Sequence, residues 1–121
     1  MFFMSLNIES LKKREKEVEE LLSHLKSEKE QIEEKLEKIK KKEDEIYQKL
    51  SKSRDPVEVS RLEILLQKAS SLRKKEEEKL EEVLRKIRGA ERELNEIRRK
   101  LEIITPKKVK WVVEYEGSSK R

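Results

Sequence analysis

Leu11, Val18, Leu25, Ile32, Ile39 and Ile46 fall seven residues apart, with almost only charged or polar side chains between them. Named position d of a heptad, this series sets position a at Ile8, Glu15, Leu22, Lys29, Leu36, Glu43 and Leu50. Apolar residues at this spacing fall on one stripe of an α-helix and mark a coiled-coil seam. The second half of the chain repeats the pattern. Its a positions are Val59, Leu66, Arg73, Leu80, Ile87, Leu94 and Leu101. Its d positions are Leu62, Ala69, Glu76, Val83, Ala90, Ile97 and Ile104.

Between the halves lies SKSRDPVE, residues 51–58. Asp55 is suited to an N-cap, Pro56 to the first helical position and Glu58 to a capping box. Pro56 also pushes Asp55 out of helical geometry and so ends the first helix. The pattern predicts an N-terminal apolar segment over 1–5, a coiled-coil helix over 6–52, a turn over 53–55, a second coiled-coil helix over 56–104, and a tail over 105–121. A turn this short makes neighbouring helices antiparallel. The expected fold is therefore all-α: a long antiparallel two-helix coiled-coil hairpin. Each helix would be roughly 70 Å long at 1.5 Å per residue. A register centred on the turn sets Leu22 near Ile87 or Ala90, and Leu36 and Ile32 near Arg73 and Glu76.

Five seam positions are charged: Glu15, Lys29, Glu43, Arg73 and Glu76. Such residues lower stability but can specify register or partner. Meanwhile Leu21, Leu65, Leu72 and Leu84 stand beside the seam at g and e positions. A helix widens its apolar stripe in this way when it meets more than one neighbour. The expectation is a homodimer or higher homo-oligomer, with a four-helix arrangement as one form. Gly89 lies inside the second helix, where it is either a tolerated irregularity or a hinge.

Composition adds to this picture. Of 121 residues, 49% are charged and 33% hydrophobic, which suits either disorder or a long helical pairing. The heptads decide for the second. Scarce Gln and Asn beside abundant Lys, Glu and Arg resemble a thermophilic composition. There is no Cys, so disulfides and thiolate metal sites are excluded, in keeping with a reducing, cytoplasmic compartment. No run approaches the roughly 20 apolar residues of a membrane span, and MFFM is too short for a signal-peptide core.

Catalytic chemistry finds little support in these residues. His24 is the sole histidine and takes an outward c position. Carboxylates are interleaved with Lys and Arg at ion-pair spacing. Neither a phosphate-cradling glycine loop nor a nucleophile elbow is present. The expectation is a non-enzymatic protein that needs no cofactor and no metal.

The remaining chemistry is at the ends. The net charge of +5 arises wholly in residues 98–121, where 8 basic side chains stand against 3 acidic ones. Arg98, Arg99, Lys100, Lys107, Lys108 and Lys110 form the cluster. Among them Val109, Trp111, Val113 and Tyr115 alternate with mostly polar residues, a β-strand pattern over 108–116. A lone strand is unstable in water, so it must pair. An antiparallel hairpin would bring Phe2 and Phe3 to the same tip. The leading reading is thus an interaction or scaffold protein. Its tip residues Phe2, Phe3, Val109, Trp111, Val113 and Tyr115 would bind a twin chain or a protein partner by strand addition. The alternative is a small nucleic-acid-binding protein whose basic cluster contacts phosphates while Trp111 stacks on a base.

Overall fold

The structure, a computed structural model, describes residues 2–104, with side chains from residue 8 onward. The strand expected over 108–116 lies outside the described residues. So do the side chains of Phe2 and Phe3. Two α-helices account for nearly all of the described chain: α1, Phe2–Lys52, and α2, Pro56–Ile104. They pack against each other as a two-helix hairpin, and no strand occurs among the described residues. Helix α1 begins at Phe2, earlier than the sequence boundary at residue 6. FFMS contains neither Pro nor Gly, so nothing there stops the helix.

The break between the helices follows the residues closely. Asp55 Oδ1 accepts a hydrogen bond from the Val57 backbone N–H at 3.2 Å, and the Asp55 carbonyl takes the first helical bond from Val59 at 2.9 Å. Asp55 is therefore the N-cap of α2, with Pro56 at the first helical position, where its missing N–H costs nothing. On the other side, the Ser53 N–H donates to the Lys49 carbonyl at 2.9 Å, and Lys49 and Lys52 occupy the last turn of α1. Cations there meet the negative end of the helix dipole.

Burial follows the heptad. Every a and d position from Ile8 to Leu50 and from Val59 to Ile104 is buried or half-buried, while nearly all other helical positions are exposed. The packing divides into two units. In the first, Met1–His24 with Ile87–Arg121, the buried side chains are Val18, Leu22, Ile87, Ala90, Leu94 and Ile97. Val18 is fully enclosed. In the second, Leu25–Lys86, they are Leu25, Leu36, Leu62 and Val83, together with the carboxylate of Glu43. Fully burying one Val, Leu or Ile contributes about 1.5–3 kcal/mol. Helix pairing, rather than helix propensity alone, therefore holds a chain of this composition together.

Candidate functional site

The charged seam positions are the first candidates, and the structure gives most of them partners. In the second unit, Arg73 Nε lies 2.8 Å from Glu43 Oε1 across the helix pair. The Ser70 hydroxyl donates to Glu43 Oε2 at 3.3 Å, and Arg73 Nη1 donates to Glu77 Oε1 at 2.9 Å. Glu43 is 7% exposed, the one charged residue in the buried set. The Glu77 hydrogen bond and the nearby Glu43 charge raise the pKa of the Arg73 guanidinium above its ordinary value. Glu76 is half-buried, with Lys79 Nζ 3.4 Å from its Oε1. Lys29 is half-buried and pairs with no carboxylate among the described residues.

In the first unit, Glu15 Oε2 accepts from Arg98 Nε at 3.4 Å, and Glu19 Oε1 accepts from Arg98 Nη2 at 3.1 Å. Arg14 grips Glu93 with two parallel bonds, Nε to Oε1 at 2.7 Å and Nη2 to Oε2 at 3.1 Å. This fork is the strong geometry for arginine and carboxylate. The Glu93 hydrogen bond raises the Arg14 pKa, and the reciprocal bond holds the Glu93 carboxyl below its usual range.

The sequence reading did not single out Arg14, Glu93, Ser70 or Glu77. Arg14 and Glu93 are both g positions, and antiparallel helices set g opposite g, so the heptads carry that signal once the register is known. The heptads leave that register open to about a turn, and the cross-helix pairs of Arg14 with Glu93 and of Ser70 and Arg73 with Glu43 fall within that range.

The second candidate is the basic and aromatic end. Arg98 is engaged with two carboxylates, while Arg99 and Lys100 are exposed. Lys107, Lys108, Lys110, Val109, Trp111, Val113 and Tyr115 lie outside the described residues. The third is the apolar flank of the seam. Leu21, Leu65 and Leu72 are 46%, 45% and 54% exposed, and Leu84 is half-buried. Ile64 is also exposed, on the outer face of α2 near Leu72, Lys68 and Lys75.

One groove between the helices of the second unit is lined by Ile32 and Val83, with Glu28, Lys35, Lys79 and Lys86 at its edges. Among the described residues, no group of three or more His, Asp or Glu side chains is placed to hold a metal ion, and no helix is long and apolar enough to cross a membrane. Comparison with protein families, curated proteins and solved structures gives no match.

Proposed function

We propose that this chain is a non-enzymatic interaction protein. Its paired helices serve as a spacer and dimerisation element. Its aromatic ends, Phe2 and Phe3 with Val109, Trp111, Val113 and Tyr115, recruit a second copy or a protein partner by strand addition. The observation that carries the reading is the set of exposed leucines at Leu21, Leu65 and Leu72. The seam between α1 and α2 is already occupied by a and d residues, so these g-position leucines are apolar area that the pair does not use. Covering such area is what favours association. A second copy is the occupant with matching heptads.

The test is deletion of residues 106–121, followed by light scattering beside the intact chain. Loss of oligomeric mass, independent of added nucleic acid, supports assembly through the tip. An unchanged mass with no partner lost removes it.

Nucleic-acid binding is the weaker reading. The charge excess of residues 98–121 supports it, but phosphate binding by Arg98 would have to displace Glu15 and Glu19. Glu114 and Glu116 also stand among the tail lysines.

A further inference from the structure

A helix in a two-helix seam has two flanks, with positions g and c on one side and positions e and b on the other. In the second unit, Leu25–Lys86, the g and c residues of both helices share one face. Lys35 of α1 lines a groove with Lys79 and Lys86 of α2, together with Ile32 and Val83 of the seam. The exposed Leu65 and Leu72 are g residues of the same face. Charge is divided unevenly between the two faces. Within residues 25–86, the g and c positions hold ten Lys or Arg and four Glu, whereas the e and b positions hold three Lys and seven Asp or Glu. The pair thus has a basic face that carries Leu65 and Leu72, and an acidic face that carries the exposed Tyr47. In the first unit such flank charges pair across the helices, as Arg14 does with Glu93. In the second unit lysine takes g positions on both helices, so cross-helix partners are lacking. Lys79 and Lys86 reach only Glu76 and Glu82 of their own helix, at 3.4 and 3.8 Å. Lys35, Lys42, Lys68 and Lys75 are exposed and enter no ion pair among the described residues.

We propose that the basic face of one copy docks on the acidic face of the next. This rests on the self-association proposed above and says how the copies meet. A two-fold contact uses the same patch on both partners. Joined through Leu65 and Leu72 in that way, two copies would bring their lysine rows together, and like charges across an interface are strongly disfavoured. Acidic face on acidic face has the same fault and leaves both leucines uncovered. Basic on acidic removes the repulsion and covers Leu65 and Leu72. The leucines supply the apolar area, and the charges decide which face meets which. Such a contact is heterologous: each copy keeps one unused face of each kind and accepts a further copy, so the assembly grows past two chains or closes as a ring.

Sedimentation equilibrium of the full chain reads the outcome. Reversing the acidic face with Glu33→Lys, Glu63→Lys and Glu81→Lys leaves the leucines and the basic face intact, yet is expected to bring the mass down to that of a single chain, 14.6 kDa in the parent. Reversing the basic face with Lys35→Glu, Lys42→Glu, Lys68→Glu and Lys75→Glu is expected to do the same. An equimolar mixture of the two variants should regain association, because each then offers the face that the other lacks. Glu20→Lys, Glu34→Lys and Glu78→Lys, at exposed f positions, match the change in net charge and should keep the parent mass. The parent mass itself is expected to fall between about 0.05 M and about 1 M salt, where the screening length is only about 3 Å. An acidic-face variant that keeps the parent mass overturns the proposal while leaving self-association standing. So does a mixture that stays at single-chain mass, or a parent mass that salt does not lower, a result that depends on no variant folding. A parent already at 14.6 kDa removes self-association itself, and this contact with it.

Discussion

Replacing Gly89 with Ala is expected to stabilise the protein by about 1 kcal/mol, the helix-propensity difference between the two residues in a helix interior. The structure supplies the reasons for using that value without correction. Gly89 is well inside α2, far from both ends of Pro56–Ile104. It is exposed at a c position, on the side of the helix away from the seam. A β-carbon built there meets nothing within 4 Å. No described glycine has a positive φ, so alanine adopts the same backbone without strain. Packing therefore adds and removes nothing, and the reduced freedom of the unfolded chain provides the gain. For a domain near 100 residues, 1 kcal/mol raises the melting temperature by about 4 °C or somewhat more. Circular dichroism at 222 nm through a thermal or urea transition reads the change, at one fixed protein concentration because association also shifts the midpoint. An unchanged or lowered midpoint refutes the reasoning. It would mean that Gly89 bends α2, or that a partner backbone passes where the β-carbon goes.

Further outcomes follow from the seam and its flanks. Leu94→Ala, at a buried a position, is expected to cost about 3 kcal/mol in urea unfolding, whereas Leu72→Gln on the exposed flank should leave fold stability within about 0.5 kcal/mol and weaken self-association. Arg73→Leu alone strands the Glu43 carboxylate and is expected to cost about 3 kcal/mol, while adding Glu43→Leu should recover most or all of it; similar losses in both variants would contradict this coupling. The Arg14–Glu93 fork lowers the Glu93 pKa, so its contribution is full above the ordinary carboxylate range and fades as pH falls through the lowered folded value. Glu93→Gln should flatten the acid limb of the stability profile and leave the limb above neutral pH unchanged. A mobility shift with duplex or single-stranded nucleic acid at about 50 mM salt, weakening steeply as salt rises, would favour the basic cluster over assembly; no shift is expected.

The heptads made the seam legible before any coordinates, because burial on a helix is periodic and periodicity survives in sequence. The side chains enclosed between α1 and α2 are those at a and d, down to the half-buried Glu15, Lys29, Arg73 and Glu76. The Asp55–Pro56 break was legible for a similar reason, since capping and proline act within a few residues of themselves. Register was legible only to about a turn, which the three-residue connection sets; the pairs that refine it join residues far apart in sequence, as Glu43 joins Arg73. The Arg14–Glu93 fork was hidden by the same ignorance, and Arg98 read as free cationic surface until Glu15 and Glu19 were seen to hold it. The exposure of Leu21, Leu65 and Leu72 needed only the heptad, which places g residues at the edge of a two-helix contact.

Self-association is the central claim, and the solution mass of the intact chain tests it most directly. Sedimentation equilibrium from micromolar to near-millimolar protein is expected to give at least twice the chain mass of 14.6 kDa, with the mass falling on dilution through the dissociation constant. A mass that stays at 14.6 kDa across the whole range contradicts the account.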